Sequence, residues 1–226
     1  MLKLFVDLFT APGAAFATLK AKPGFLLPLL LLVAAAVGLN AAYFALVDPE
    51  FLVEDILQRA GDDITAEEER GIREFANAEG RGGRWLPTIG GGFFFIVILL
   101  VHATYYSLVS MARGHQIRFR QWFAFVSWSY LPSLLALLAG AIALAIAPGF
   151  ELSLNDLNPL SIANLLNVDG LSGNARVLQQ IDVTQLWTLC LLALGYRAWT
   201  GARWAVSLLV ALVPFIVAYS LPLLFA

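Results

Sequence analysis

Long apolar runs alternate with short polar links along most of the chain. Four runs are strongly apolar, at about 25–47, 89–112, 122–147 and 204–225, and a fifth at about 175–199 is shorter in its strictly apolar part. A helix needs about 20 apolar residues to cross the hydrocarbon core of a bilayer, and these runs lack the alternation of barrel strands. The pattern therefore predicts an all-α polytopic membrane protein with five transmembrane helices.

The basic residues predict how these spans are oriented. Eight of them lie before the first span, between the second and third, and around the link between the fourth and fifth, whereas the other two links hold six. By the positive-inside rule the amino terminus is expected in the cytoplasm, and an odd number of spans places the carboxyl terminus outside. Trp122, Trp199 and Trp204 are then expected at the inner interface as an aromatic belt.

Residues 1–24 are predicted to be a cytoplasmic interfacial segment that precedes the membrane domain, residues 25–226. Leucine and phenylalanine residues surround Pro12 and Gly13, a pattern typical of two short amphipathic helices on a membrane surface. Asp7 interrupts the one early apolar run, so we expect no cleaved signal peptide.

The link at residues 48–88 has the composition of a soluble helical hairpin. Asp48 followed by Pro49 is a helix start, and Thr65 with Glu68 three residues later is a capping box that opens a second helix. We expect this hairpin on the extracytoplasmic side, with an acidic, solvated outer face.

Residues 150–173 are apolar but are interrupted by asparagine and aspartate residues. Asn158 is expected to cap, and Pro159 to open, a short helix that runs to Leu166. Because such a helix is too short to cross a bilayer, we predict an interfacial segment that covers the outer end of the bundle.

Composition agrees with this membrane assignment and narrows the chemistry. Hydrophobic residues make up 60% of the 226 residues and charged residues 13%, against about 45–50% and about 25% in soluble domains. A net charge of −2 gives no reason to expect nucleic acid as a partner. Cys190, His102 and His115 are the only soft metal ligands, so we expect no disulfide, no metal and no cofactor.

Polar groups inside the predicted spans are candidate functional residues, because burying them in hydrocarbon is costly. His102 lies near the middle of the second span, and Tyr105 and Tyr106 follow at helical spacing on the same face. Asp182 and Gln185 stand at the outer end of the fourth span. These five residues are the predicted intramembrane polar site. The alternative is a structural histidine bonded to a tyrosine or a backbone carbonyl, with Asp182 acting at a helix amino terminus.

Two prolines and several small residues predict how the helices are shaped and packed. Pro132 and Pro214 remove backbone amides and free the carbonyls of Trp128 and Val210, which neighbouring helices must then satisfy. Small residues repeat at fourth positions, a spacing that lets helices approach closely. They are Ala34, Gly38 and Ala42 in the first span and Ala136 and Gly140 in the third.

No complete catalytic motif is present, so we expect no enzyme. Glu68, Glu69 and Arg73 spell EExxxR, the first motif of intramembrane CAAX-type proteases, but they fall in the polar hairpin. The second motif of that family, FxxxH, is not matched, because Ile98 stands four residues before His102. No GxSxG or HExxH sequence is present either.

Three sequence segments resemble the Yip1-domain family in its bacterial branch. They are LFTAPGAAFATL (Leu8 to Leu19), SYLP (Ser129 to Pro132) and IDVTQLWTLCLLALGY (Ile181 to Tyr196). The resemblance implies five spans with a cytoplasmic amino terminus. Eukaryotic members are linked to vesicle traffic and Rab-type small GTPases, but their DLYGP motif is not in this sequence, and the family offers no catalytic residues to carry over.

We therefore expect a multi-pass protein of the bacterial inner membrane that organises the membrane or binds a partner, without enzymatic activity. Arg113, His115, Arg118 and Arg120 are expected to bind anionic lipid headgroups on the cytoplasmic side. Further expected partners are a second copy of the chain or another membrane protein. The alternative function is a small-solute or ion transporter with a polar path around His102.

Overall fold

A computed structural model of the chain describes residues 2–60, 64–77, 85–168 and 173–224. The described residues are helical with short connections and no β-strand, which confirms the all-α part of the predicted fold class. The helices are α1 (Leu2–Thr10), α2 (Pro12–Ala21), α3 (Leu26–Leu46), α4 (Pro49–Ala60), α5 (Ala66–Asn77), α6 (Trp85–Ala112), α7 (Phe119–Ser129), α8 (Ser133–Ile146), α9 (Ile162–Leu165), α10 (Gly173–Gln180), α11 (Val183–Thr200) and α12 (Trp204–Leu224). A 3-10 turn, Pro148–Phe150, follows α8.

Two of these helices are long and apolar enough to cross a membrane on their own. They are α3, with 21 residues, and the 27 residues Leu86–Ala112 of α6. Helices α7 and α8 qualify together as a third span, although their axes differ by 40°. The described residues thus support two or three candidate spans by length and composition.

The bend between α7 and α8 occurs at Pro132, where a kink was expected. Helix α7 ends at Ser129 and α8 begins at Ser133, after the proline; in the turn between them the Ser133 amide bonds the Tyr130 carbonyl at 3.0 Å. The carbonyl of Trp128, which Pro132 leaves without its usual donor, accepts from the Leu131 amide at 3.2 Å. The predicted single run at 122–147 is therefore two helices.

The predicted run at 175–199 is also divided, between α10 and α11. The Ile181 carbonyl leaves the helical pattern and accepts from the Ile162 amide at 2.8 Å, and Ser161 and Asp182 form an isolated antiparallel bridge. At residues 181 and 182 the backbone therefore pairs with residues 161 and 162 and does not continue the helix. Helix α11 then begins at Val183 and keeps 18 residues.

The segment around α9 differs from its prediction in length and in its cap. The helix covers only Ile162–Leu165, and Ser161, not Asn158, caps it by accepting the Asn164 amide at 3.2 Å. Asn158 instead donates from Nδ2 to Asp182 Oδ2 at 3.2 Å. The Asn158 side chain is thus directed toward Asp182, and its buried Oδ1, the atom that a cap would use, accepts no hydrogen bond among the described residues.

Both helix starts predicted in the hairpin are present. Asp48 accepts the Phe51 amide at 2.9 Å, and Glu68 accepts the Thr65 amide at 2.9 Å while Thr65 Oγ1 accepts the Glu68 amide at 3.3 Å. Arg73 Nη2 pairs with Glu69 at 2.8 Å on the outer face of α5. The EExxxR sequence is therefore an in-helix ion pair beside a capping box.

The chain divides into two compact units, each with its own core. Unit 1 contains Met1–Leu32, Phe95–Leu134 and Val183–Ala226, and unit 2 contains Val33–Phe94 and Leu135–Asp182. Aromatic residues of α2, α6, α7 and α11 dominate the core of unit 1. The core of unit 2 joins the end of α3 to α4 through Tyr43, Phe44 and Leu52.

The two units carry opposite charge. Unit 1 contains eight basic residues and one acidic residue, Asp7. Unit 2 contains six basic and fifteen acidic residues. The small net charge of the whole chain is therefore the sum of a strongly positive unit 1 and a strongly negative unit 2.

Candidate functional site

An aromatic cluster at the centre of unit 1 consists of Phe16, Tyr106, Trp122, Phe125, Tyr196 and Trp199. The Trp122 ring stacks on Tyr106 with centroids 5.5 Å apart and contacts Trp199 at 5.2 Å. Trp122 is 0% exposed and Trp199 5%, so the side chains of these two tryptophans belong to the protein core. Trp204 is 50% exposed, and the Arg197 guanidinium carbon Cζ lies over its ring, 4.4 Å from the ring centroid.

Helix α2 is fastened to α11 at this cluster. Trp199 Nε1 donates to the Phe16 carbonyl and Lys20 Nζ donates to the Trp199 carbonyl, each at 2.8 Å. A cation at the last turn of α11 also interacts favourably with the helix dipole. Gly195 is required here, because a Cβ atom would overlap the rings of Phe125 and Phe16.

His102 lies between two aromatic rings and has a hydrogen-bond partner for each ring nitrogen. Nδ1 is 3.0 Å from the Ile98 carbonyl and Nε2 is 3.1 Å from Tyr130 Oη. Because a carbonyl only accepts, Nδ1 carries the proton and Nε2 accepts from the Tyr130 hydroxyl. The Phe215 ring packs at 5.6 Å, and His102 is 7% exposed.

The structure distributes the five residues of the predicted polar site over separate contacts. Tyr105 donates to the Val210 carbonyl at 3.0 Å, while Tyr106 belongs to the aromatic cluster. Gln185 bonds the hydroxyl of Tyr219 on α12. Asp182 is the last residue of unit 2, where it accepts from Asn158.

Sequence reasoning did not identify the partners of these residues. Tyr130 entered the sequence analysis only as part of the SYLP segment, and nothing local to His102 indicates that this tyrosine, 28 positions away, bonds its ring. Tyr219, which bonds Gln185, was not singled out at all. In each case the one indication in the sequence was a polar residue inside a predicted span.

The arginines in and next to the link between α6 and α7 are exposed at the surface of the protein. Arg113, Arg118 and Arg120 are exposed, and His115 is partly buried. The turn is closed by the His115 amide, which bonds the Ser110 carbonyl at 2.9 Å. The one acidic residue of unit 1, Asp7, already pairs with Lys3 at 2.6 Å, so unit 1 offers these arginines no further carboxylate.

Comparison with known proteins assigns the family. The Yip1 domain matches residues 6–225, which is nearly the whole chain and includes the hairpin between α3 and α6. No curated protein and no solved structure shows significant similarity to this chain. Members of the matched family are membrane proteins and are not known as enzymes. The chain therefore belongs to the Yip1 domain family.

Proposed function

We propose that this protein is a non-enzymatic, five-span component of the bacterial inner membrane that binds anionic lipid and through it organises the membrane or positions a partner. The five spans are α3, α6, the α7–α8 pair, α11 and α12. The amino terminus, the link between α6 and α7 and the link between α11 and α12 lie in the cytoplasm, and the carboxyl terminus lies outside.

The separation of charge supports this orientation. The cytoplasmic segments under this topology belong to unit 1, with eight basic residues against one acidic, and the external segments belong to unit 2, with fifteen acidic against six basic. Lysine and arginine residues retain the segments that carry them in the cytoplasm during insertion, whereas acidic residues contribute little. The basic excess of unit 1 therefore favours this orientation.

The observation that carries lipid binding is the exposed arginine set on the link between α6 and α7. Arg113 and Arg118 lie on this short irregular segment and Arg120 lies in the first turn of α7, next to Phe119, which is 44% exposed. Each basic side chain near an anionic leaflet contributes about 1 kcal/mol of attraction. An exposed phenylalanine beside them inserts readily into the headgroup region.

Lipid retention by two matched double variants tests this proposal. Arg118→Gln with Arg120→Gln removes two charges from the link, and Arg70→Gln with Arg73→Gln removes two from α5. Each purified protein is mixed with equal amounts of phosphatidylglycerol and phosphatidylcholine, and bound lipid is measured by native mass spectrometry. The link variant should lose roughly 30-fold in affinity for phosphatidylglycerol, at about 1 kcal/mol per charge, while the α5 variant keeps the wild-type value. Equal retention by both variants contradicts lipid binding at the link.

Transport through a polar path at His102 is the competing function. The close contacts of His102 with Ile98, Tyr130 and Phe215 favour a structural histidine, since both ring nitrogens are already bonded. Liposome flux of protons or small solutes should be equal for the wild type and for His102→Ala. A flux that the wild type shows and the variant lacks would establish transport instead.

A partner is proposed to contact the small-residue face of α3. Ala34 and Gly38 are exposed there, and a Cβ atom added at Gly38 would meet nothing within 4 Å. Close approach of a second helix needs such a surface. In crosslinking experiments Gly38→Leu should reduce the recovered homodimer or heteromeric complex, and an unchanged yield contradicts this contact.

A further inference from the structure

Unit 2 contains a polar cavity of about 600 Å³ where four segments of the chain meet. Helix α4, the turn before Asn158, the stretch around α9 and helix α10 all contribute to its wall. The described residues of the lining supply two carboxylates, one guanidinium, five carboxamides and one hydroxyl beside two small apolar side chains. Its volume falls within the range of about 300–1,000 Å³ that is usual for small-molecule sites.

Among the described residues of this lining, the one cationic group is already neutralised. Arg59 Nη2 pairs with Asp55 Oδ2 at 2.5 Å, and Arg59 Nε donates to the Asp55 carbonyl at 3.1 Å. Arg59 thus holds Asp55 and is itself held in place. The second carboxylate of the cavity, Asp156, remains as the charge that Arg59 does not compensate.

Asp156 stands in an environment that disfavours its own negative charge. Burial of the side chain, and then the neighbouring Asp55 carboxylate, raise the pKa of Asp156 above its ordinary value. A cation that enters the cavity would offset this penalty, because it attracts the Asp156 carboxylate.

One carboxamide of the wall, that of Asn164, is held in a fixed orientation by the protein itself. Asn164 Nδ2 donates to the backbone carbonyls of Asn155 and Asn158, each at 3.1 Å. With its NH₂ group engaged, Asn164 presents Oδ1 as the acceptor end of its amide. Acceptors fixed in this way lower the entropic cost of binding a hydrogen-bond donor.

We propose that this cavity binds a small organic cation with more than one ammonium group, of the diamine or polyamine class, with Asp156 as its principal anchor. Ammonium groups donate three hydrogen bonds each, which suits a wall of carboxylate and carboxamide oxygens. The surplus of acidic residues in unit 2, fifteen against six basic, draws such a cation toward the cavity.

Two other ligand classes fit this wall less well. The cavity is far larger than a metal ion, and the described residues contain no group of three or more side chains suited to hold one. Saccharide sites commonly stack the sugar ring on an aromatic side chain, and the apolar members of this lining are Ala163 and Val168.

Binding of spermidine to the full chain in nanodiscs tests the proposal. Isothermal titration compares the wild type with Asp156→Asn, with the cavity variant Asn167→Ala, and with Glu151→Gln as the control. Glu151 is an exposed acid five positions from Asp156 and outside the lining, so its variant removes the same charge from the same segment. Size-exclusion profiles and circular dichroism establish that each variant is folded.

The Kd for spermidine should rise at least tenfold in Asp156→Asn and measurably in Asn167→Ala, and should stay within a factor of two in Glu151→Gln. Asn167→Ala keeps the test decisive if Asp156→Asn does not fold. Three results overturn the proposal: no binding to the wild type at millimolar spermidine, equal weakening by Glu151→Gln, or preferential binding of Ca²⁺ or glucose with the same dependence on Asp156.

Discussion

Tyr105 on α6 donates a hydrogen bond from Oη to the backbone carbonyl of Val210 on α12, across 3.0 Å. Pro214 stands four residues after Val210 and has no N–H to offer that carbonyl. Helix α12 nevertheless continues through the proline. A tyrosine hydroxyl therefore replaces the missing backbone donor, which in a hydrocarbon environment would otherwise leave the carbonyl unsatisfied.

Replacing Tyr105 by Phe should lower the free energy of unfolding by about 1 kcal/mol, because one neutral hydrogen bond is lost and an acceptor remains. Tyr106→Phe is the matched control. Among the described residues the Tyr106 hydroxyl has no hydrogen-bond partner although it is buried. Its removal should leave stability unchanged or raise it. Unfolding in mixed micelles, followed by circular dichroism, measures both, and a larger loss for Tyr106→Phe contradicts this assignment.

Two glycines in apolar helices should respond in opposite directions to alanine. At Gly140 an added Cβ would overlap the Leu157 carbonyl oxygen and lie 3.1 Å from Leu39 Cδ2. Overpacking against backbone costs about 1–3 kcal/mol, so Gly140→Ala should destabilise the protein. At Gly38 nothing lies within 4 Å, and Gly38→Ala should stabilise it by up to about 1 kcal/mol in the absence of a partner. Thermal unfolding of both variants with the same sign would count against this packing.

The amino-terminal helices should depend on Phe16 for their attachment. Phe16 is 0% exposed within the aromatic cluster, and Phe16→Ala should cost about 3–5 kcal/mol through the cavity that it leaves. Thr18 is exposed on the same helix and bonds its own backbone at Ala14, so Thr18→Ala should change stability by less than about 0.5 kcal/mol. Chemical unfolding separates the two, and equal effects would show that α2 is not part of the core.

The start of α5 should weaken in acid. Hydrogen bonds from the Thr65 side chain and backbone hold the pKa of Glu68 below its ordinary value of 4.5. A depressed carboxyl pKa contributes stability that is complete above the unfolded-state value and is lost as pH falls through the folded-state value. Hydrogen-exchange protection in α5, corrected for intrinsic rates, should therefore drop between about pH 6 and about pH 3.5.

Two charge-removing variants control that measurement. Glu68→Gln should show weakened protection at both pH values and hence little pH dependence. Glu67→Gln removes an exposed neighbouring charge and should keep the drop. A full pH dependence in Glu68→Gln would assign the effect to another carboxyl group.

The family, the fold class and most helix limits could be predicted from the sequence because they depend on local patterns. Apolar runs of sufficient length determine α3 and α6, and the capping residues Asp48 and Thr65 stand beside the helices that they start. The interruption at Ile181 and Asp182 could not be predicted, since it depends on pairing with Ser161 about twenty positions earlier.

The contacts of the candidate residues were less predictable still. His102 shares a helix face with its expected neighbours Tyr105 and Tyr106, yet those two reach α12 and the aromatic cluster, and Tyr130 of another helix bonds the histidine. Helical spacing shows which residues share a face but not which neighbouring helix each side chain meets. The polar cavity of unit 2 could not be predicted for the same reason, because its wall combines residues that are far apart in the sequence, from Asp55 to Gln179.

Sidedness of the basic and acidic segments can be measured by labelling single cysteines with a membrane-impermeant maleimide in intact and permeabilised cells. With Cys190→Ser as background, Gln116→Cys lies on the basic link, Glu67→Cys on α5, and Ser220→Cys near the end of α12, all exposed positions. Glu67→Cys and Ser220→Cys should react in intact cells, and Gln116→Cys only after permeabilisation. Reaction of Gln116→Cys and Glu67→Cys from the same side, or of Ser220→Cys only from the cytoplasm, would contradict a five-span protein with its basic segments inside.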